Sequence, residues 1–154
     1  MKAVIQRVSS ASVKVDGEVV GSCGMGYMIL FGAAQGDTEA DADIIARKVA
    51  ALRIFRDSDD KMNLSIKDID GEILAISQFT LCADVKKGNR PSFIGAMEPV
   101  EAERLYKYFC NKLREEGIKK VDEGVFGGDM SVSLVNEGPV TILYDTEIWR
   151  KNGN

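Results

Sequence analysis

Residues 26–33, GYMILFGA, form the stretch that decides the fold of this chain. The stretch has no charged side chain and is continuously apolar, which is typical of a strand covered on both faces. It is far shorter than the roughly 18–20 residues that a membrane-spanning helix needs. We therefore expect a buried strand with further layers of secondary structure on either side of it.

Strand signals also precede this stretch. Residues 2–8 alternate between two faces, as in a strand. Residues 12–15 and 18–21 flank Asp16-Gly17, and an Asp-Gly pair between two such runs is the strongest short-range signal for a hairpin. The beginning of the chain is therefore predicted to be a group of strands.

A helix is predicted directly after the apolar stretch. Asp37 or Thr38 can cap it, and acidic residues in its first turn suit the positive end of the helix dipole. An apolar stripe with spacings of three and four continues from there, interrupted only by Lys48. The stripe consists of Ile44, Ile45, Val49, Leu52 and Phe55. Residues 57–61 then form a polar turn, which lacks the glycine and the distal glutamate of a calcium loop.

The second half of the chain contains strands around one more helix. Residues 72–79 predict a strand, and residues 80–98 an irregular segment. The second helix begins at Pro99, a favoured first-turn residue, and ends at Gly117. Its buried stripe consists of Ala102, Leu105, Tyr106, Phe109 and Leu113. Three short strands are predicted at the end, over residues 119–122, 130–136 and 139–145.

These elements predict one mixed α/β domain over residues 1–154. The chain has no internal repeat, low-complexity segment or linker. Two helices cannot cover both faces of a large sheet, so a second β layer has to cover one of them. We expect mixed sheets packed on each other with two helices on one outer side, in the layer order β/β/α.

The composition excludes several kinds of catalytic site. The chain has no histidine, so it has neither a histidine-based nucleophile system nor a histidine-ligated metal. Cys23, Cys82 and Cys110 lie far apart and form no CxxC pair, which favours unpaired thiols in a reducing compartment. We expect no metal and no cofactor. A hydrolase of this composition would use carboxylates, backbone groups, water or the substrate itself for proton transfer.

Charge and targeting signals restrict the partners. The net charge is −4, whereas proteins that coat long nucleic acids are usually basic, so any RNA contact should be small and local. We expect no DNA partner and no membrane. The N-terminus becomes polar too early for a signal peptide, which predicts a cytoplasmic protein.

Residues 77–81, SQFTL, are the first candidate for chemistry. They collect hydroxyls, an amide and an aromatic ring where an apolar strand gives way to a loop. Such side chains often satisfy backbone groups at strand ends, which is the simpler interpretation. The functional interpretation is a polar cradle for an ester carbonyl, made of hydroxyls and backbone N–H groups.

Three other segments have both a structural and a functional interpretation. Residues 136–141, NEGPVT, are either a hairpin turn or part of a site. Residues 124–129, GVFGGD, are either a surface loop or a pocket in which a nucleobase stacks on Phe126. Residues 86–93, KKGNRPSF, are either a solvated loop or a phosphate contact.

Together these blocks resemble the D-aminoacyl-tRNA deacylase family. The similarity runs from Met1 to about Asp145, and residues 147–154 add nothing to it. Each block alone is weakly specific, whereas the ordered set is highly specific. The matching blocks are MKAVIQRVSSASVKVDGEVVG (1–21), SQFTL (77–81), GNRPSF (88–93) and GVFGGDMSVSLVNEGPVT (124–141).

The resemblance implies a homodimer in which each active site is built at the subunit interface. Gly138-Pro139 matches the family's Gly-cisPro motif, which would enter the partner's pocket and leave no room for an L side chain. A D side chain, or the hydrogen of glycine, would be admitted. Arg7 matches a position that braces this motif, although alternation alone equally allows a salt bridge on the strand surface.

The resemblance also implies hydrolysis of the ester in D-aminoacyl-tRNA and glycyl-tRNA without a histidine. The ribose 2′-hydroxyl would help to activate or position water, while N–H groups near Phe79 and Thr80 stabilise the oxyanion. Ser77 and Gln78 would position the ester, and Thr80 as a covalent nucleophile is the lower-ranked mechanism. The remaining candidates are Phe126 and Gly127 for the terminal adenosine, and Lys86, Lys87 and Arg90 for tRNA phosphates.

Two rival hypotheses keep the same motifs without the chemistry. One is a non-catalytic module that binds an RNA end or a nucleotide. The other is a dimeric structural protein whose motifs serve assembly alone. Neither rival would depend on a free 2′-hydroxyl of the terminal adenosine, whereas the enzyme would.

Overall fold

The computed structural model describes residues 1–150 as eight strands, three α-helices and a 3₁₀ turn. The elements are β1 (Lys2–Val15), β2 (Glu18–Cys23), β3 (Gly26–Gly32), α1 (Glu39–Ala51), β4 (Arg53–Arg56), β5 (Met62–Ser65), β6 (Glu72–Ser77), the 3₁₀ turn (Phe79–Cys82), α2 (Pro99–Glu115), β7 (Val121–Glu123), β8 (Ser131–Asp145) and α3 (Glu147–Arg150). Within these residues no helix is long and apolar enough to cross a membrane.

One mixed sheet organises the domain. Its hydrogen-bonded order is β2-β1-β3-β6-β7, and β8 pairs with β1 from Lys2↔Asp145 to Lys14↔Ser131. The pairs β3–β6 and β6–β7 are parallel, and the other pairs of this sheet are antiparallel. The predicted mixed α/β class is confirmed. The apolar stretch 26–33 forms β3 in the middle of this sheet, as predicted for a strand covered on both faces.

The sheet is covered on both faces, which gives two apolar clusters. One face of β3 and β6 packs on the helices. On the other face, Met28 and Leu74 contact Val13 of β1 and Cys23 of β2. The register of β1 against β8 slips near Val8, and such bulges bend a strand. The predicted β/β/α layers are present, and the two β layers share the long strands β1 and β8.

Both long helices lie on one outer side, as predicted, and they also pack against each other. Phe109 of α2 stacks on Phe31 of β3, with ring centroids 4.7 Å apart. The predicted start of α2 at Pro99 is confirmed, and the Glu98 side chain caps it by accepting hydrogen bonds from the N–H groups of Val100 and Glu101.

The first helix is shorter than its apolar spacing predicts. It ends at Ala51, and Phe55 belongs to β4, which pairs with β5 in a hairpin that the sequence pattern did not predict. The Asp57 carboxylate accepts hydrogen bonds from the N–H groups of Asp59 and Lys61 and closes the turn of this hairpin. The apolar spacing predicted the wrong end of the helix, because Phe55 packs into the same core from a strand that follows the helix directly.

Several predicted strand boundaries are wrong. Residues 2–8 and 12–15 are parts of the single strand β1, and residues 130–136 and 139–145 are joined in β8. The break predicted near residue 137 does not occur, because pairing with β1 resumes beyond the register slip. The predicted strand 72–79 ends at Ser77, and the next residues turn into the 3₁₀ conformation.

Candidate active site

A cavity of about 420 Å³ opens where the parallel strands end. The carboxyl ends of β3 and β6 and the segment after β7 form its walls, and this is the edge where α/β sheets usually bind ligands. The cavity lies between α2, the 3₁₀ turn and the start of β8. Its lining consists of Phe31, Gly32, Ala33, Ile76, Ser77, Gln78, Phe79, Met97, Pro99, Ala102, Phe126, Gly127, Gly128, Met130 and Val132.

The predicted catalytic segment forms one wall of this cavity. Ser77, Gln78 and Phe79 line it, while Thr80 does not. The Gln78 N–H donates to the Phe31 carbonyl at 2.7 Å, which fixes the end of β6 beside the end of β3. The Gln78 side-chain amide donates to the Thr80 hydroxyl, so the Thr80 side chain, which does not line the cavity, already has a hydrogen-bond partner.

The start of the 3₁₀ turn leaves two backbone donors available. The first N–H groups of a helical turn have no acceptor within the turn. Within residues 1–150, the N–H groups of Phe79 and Thr80 donate to no other group. They are therefore free to meet an acceptor brought by a ligand, at the edge of the wall that Ser77 and Gln78 form.

The opposite wall is the glycine-rich segment after β7. Phe126 and Gly127 line the cavity, as the base-stacking hypothesis requires. Gly127 has φ +73°, in the left-handed region that glycine tolerates, and open space surrounds its Cα. The Phe126 ring packs toward Tyr106 of α2, with centroids 6.3 Å apart. This wall therefore combines an aromatic face with backbone that a ligand can approach closely.

The predicted basic cluster lies beside the cavity and not in it. An isolated antiparallel bridge, Asp84↔Ser92, closes the loop that carries it. Phe93 follows this bridge and meets Phe79 edge-to-face at 5.1 Å, which attaches the loop to the cavity rim. The basic side chains are exposed, and none forms an ion pair with another described residue. They are Lys86, Lys87 and Arg90.

The third group of predicted residues lies elsewhere on the molecule. Gly138 and Pro139 are exposed on β8, joined by a cis peptide bond, and do not line the cavity. Arg7 is only 2% exposed and donates from Nε to the Glu137 carbonyl at 2.9 Å and from Nη1 to the Ile54 carbonyl at 2.5 Å. The alternative of a surface salt bridge does not fit this geometry.

The cavity is lined by few polar side chains. Among residues 1–150, none of the lining side chains is acidic, basic or a thiol, and the polar ones are the Ser77 hydroxyl and the Gln78 amide. Burial raises the pKa of Cys23 to about 11 and that of Cys110 to about 12, so both thiols are protonated at neutral pH. Burial also raises the pKa of Cys82. Among residues 1–150 no cluster of side chains could hold a metal ion.

Sequence reasoning missed most of the cavity lining. Met97, just before α2, and Pro99 and Ala102 in α2 line the cavity, as do Met130, just before β8, and Val132 in β8. One sequence signal for the site was available, namely the end of the apolar stretch at residues 31–33, because parallel strands expose their carboxyl ends at one edge of the sheet. The other apolar residues of the lining gave no signal, since their sequence pattern is the same as that of core residues.

Proteins of known family are similar to this chain over nearly its whole length. A family model described as D-Tyr-tRNA(Tyr) deacylase matches residues 4–145. A D-aminoacyl-tRNA deacylase of Dehalococcoides mccartyi is 54% identical over 146 residues, which are 95% of each chain. A second one, of Lacticaseibacillus casei, is 51% identical over 147 residues, which are 96% of this chain and 99% of the relative.

Two solved structures are also similar. A protein described as a c-Myc DNA unwinding element binding protein superposes with a TM-score of 0.89 and 41% identity, covering 94% of this chain and 98% of the other. A probable eukaryotic D-amino acid tRNA deacylase superposes with a TM-score of 0.80 over the same shares, at 18% identity. The second likeness speaks for the fold alone.

Proposed function

This chain belongs to the D-Tyr-tRNA(Tyr) deacylase family, and on that premise we propose that it hydrolyses the ester that joins a D-amino acid to the 3′ adenosine of tRNA. It is a hydrolase of aminoacyl-tRNA, as its relatives are named. In the reaction, water attacks the ester carbonyl and the bond to the ribose oxygen breaks. The amino acid leaves as a carboxylate, and the ribose hydroxyl takes up a proton.

The observation that carries the mechanism is that, among the residues that the structure describes, no acid, base or thiol lines the cavity. A water molecule bound there has no protein side chain of suitable pKa to deprotonate it. The ribose 2′-hydroxyl next to the ester can position the water and pass on its proton. The protein then contributes orientation and stabilisation of negative charge instead of acid–base catalysis.

The free N–H groups of Phe79 and Thr80 are the proposed oxyanion donors. They lie at the start of the 3₁₀ turn, beside the Ser77 hydroxyl and the Gln78 amide that would hold the ester. Losing one such donor typically costs about 2.7–4 kcal/mol of barrier. Thr80 is a poor candidate for a nucleophile, because its side chain does not line the cavity and its hydroxyl accepts a hydrogen bond from Gln78, with no acid or base among the described residues bonded to it.

The other cavity wall and the basic loop would hold the tRNA end. The terminal adenosine would stack on Phe126, with Gly127 allowing close approach. Lys86, Lys87 and Arg90 would contact phosphates near the 3′ end, since their loop is attached to the rim through Phe93. An acidic protein with one local basic loop is suited to binding an RNA terminus. We propose that it acts in the cytoplasm and has no DNA partner.

Selection against L-amino acids is assigned to Gly138-Pro139 of a partner subunit. Both residues are exposed on β8 and lie outside the cavity of their own chain, so they can reach such a cavity only in a homodimer. Arg7 is bonded to the carbonyl of Glu137, the residue before this turn, and would hold the turn in place. Main-chain atoms beside the ester would exclude an L side chain, while a D side chain or glycyl-tRNA would be accepted.

The decisive experiment compares D-tyrosyl-tRNA and L-tyrosyl-tRNA as substrates, together with D-tyrosyl-tRNA that ends in 2′-deoxyadenosine. We expect fast hydrolysis of the first and background rates for the other two. Background loss of all three esters would favour a non-catalytic RNA-end module. Full activity on the 2′-deoxy substrate would reject assistance by the substrate, even if the D preference held.

A further inference from the structure

The cavity exists because two parallel strands separate at one point. Strands β6 and β7 pair from Ile73↔Val121 to Ala75↔Glu123. Beyond that register, β6 continues to Ser77 and is followed by Gln78, while the chain after β7 turns to Phe126 and Gly127. The two walls of the cavity therefore begin at the same pair of residues.

The Tyr106 hydroxyl lies at this separation point. It donates to the Ala75 carbonyl at 2.6 Å and accepts from the Gly124 N–H at 3.2 Å. The Gly124 N–H also reaches the Ala75 carbonyl at 3.2 Å, so the three groups form a closed triangle. The Tyr106 phenol thus connects Ala75, the last residue of β6 that pairs with β7, with Gly124, the first residue beyond β7.

The surroundings bury this phenol and keep it neutral. Tyr106 is 1% exposed, and its ring lies between Phe31 and Phe126, which both line the cavity. Burial, followed by the nearby Cys110 and Glu123, raises the pKa of Tyr106 far above the physiological range. The hydroxyl therefore donates and accepts at every pH at which the enzyme would work.

We infer that Tyr106 is a positioning residue that sets the separation between the ester-binding wall and the adenosine-binding wall. The residue does not line the cavity itself and acts through Ala75 and Gly124. The inference rests on the proposed function for the identity of the two walls. Because the Tyr106 hydroxyl bonds to backbone groups and does not line the cavity, its loss should weaken binding of the adenosine end and leave the chemical step unchanged.

The test uses the full chain with Tyr106→Phe and a matched control, Tyr108→Phe. Tyr108 also lies on α2, and its hydroxyl donates to Asp43 at 2.7 Å on the side of α1, away from the cavity. Each variant loses one hydroxyl from the same helix. We expect Tyr106→Phe to raise KM for D-tyrosyl-tRNA and Kd for AMP by about three- to tenfold, with kcat within about twofold of wild type. Tyr108→Phe should change neither constant.

The outcomes separate this inference from the proposed function. The positioning role would be overturned if Tyr106→Phe had the KM and the AMP affinity of the wild type. It would also be overturned if both variants lost AMP affinity to the same extent. A lower kcat at unchanged KM would overturn it as well, since the residue would then act on the ester end. If the wild-type protein hydrolyses D-tyrosyl-tRNA but does not bind AMP, the assignment of the Phe126 wall to adenosine fails, and the inference falls with it.

Discussion

Replacing Arg7 by lysine keeps the positive charge but removes the ability to bridge two carbonyls. The guanidinium donates from two different nitrogens to the Glu137 and Ile54 carbonyls, which lie 130 and 47 residues away in sequence. A lysine has one nitrogen at the end of a flexible stem and can reach one of these carbonyls at a time. The other carbonyl would remain without this donor in a buried environment.

The expected loss can be estimated from the contacts. A hydrogen bond to a charged group contributes about 1.5–3 kcal/mol, and one of the two is lost. For a chain of this size each kcal/mol shifts Tm by about 2–4 °C. Arg7→Lys should therefore lower the free energy of unfolding by about 1.5–3 kcal/mol and Tm by about 3–12 °C. Urea denaturation and thermal unfolding measure the two quantities.

The same variant tests the proposed role of the Gly138-Pro139 turn. A turn that loses its brace should shift relative to the partner's ester, so the ratio of D-tyrosyl-tRNA to L-tyrosyl-tRNA hydrolysis should fall by about tenfold or more. Arg53→Lys is the matched control, since exposed Arg53 also makes two hydrogen bonds, both to Asn63. If Arg7→Lys had the same stability as Arg53→Lys and the same ratio of D-tyrosyl-tRNA to L-tyrosyl-tRNA hydrolysis, neither role of Arg7 would hold.

Four other variants or treatments give separate expectations. Thr80→Ala should keep activity within about tenfold of wild type, because only its N–H is used, and complete loss in a folded protein would restore Thr80 as the nucleophile. Gly138→Ala should abolish turnover, since its Cβ would lie 2.7 Å from Arg7 Nη2 at φ +124°, and normal kcat would argue against the cross-subunit model. Burial opposes ionisation of Asp41, but hydrogen bonds from Thr38, Arg150 and Thr146 outweigh it and hold its pKa below the usual 3.8. Ionised Asp41 therefore stabilises the folded state above that pH, and this contribution is lost as the pH falls. We expect the free energy of unfolding of Asp41→Asn to be lower than that of the wild type at neutral pH, and the difference to shrink below about pH 4. A difference that stays constant when the unfolding free energy is measured at falling pH would contradict this expectation. Alkylation by iodoacetamide at pH 7.5 should be slow at buried Cys23 and Cys110 and leave activity intact, because their thiols stay protonated.

Much of the fold follows from local patterns in the sequence. The apolar stretch 26–33 became β3, and the stripe through Leu105 and Phe109 became the buried face of α2. The hairpin at Asp16-Gly17 is present between β1 and β2. These predictions held because alternation, helical spacing and turn residues report the local geometry of the backbone.

The errors arose where a distant contact decides local structure. The spacing of Phe55 fitted a helix, yet the residue lies in β4, because its hairpin partner β5 comes from beyond the turn. The helix α3 was not predicted, and its residue Arg150 pairs with Asp37 and Asp41, more than 100 residues earlier. A pattern within one segment holds no information about such pairings.

Composition alone shows that no histidine and no CxxC cysteine pair is available for the chemistry, and the ordered motifs mark the segments around Phe79, Phe126 and Gly138 as a set. The three-dimensional fold shows that the first two of these segments line one cavity while Gly138 does not. It also shows that, among residues 1–150, no ionisable side chain lines that cavity and that Arg7 is buried against carbonyls. Such placements cannot be predicted from composition and periodicity, which act along the chain, because the meeting of strand ends depends on sheet register and on the packing of both faces.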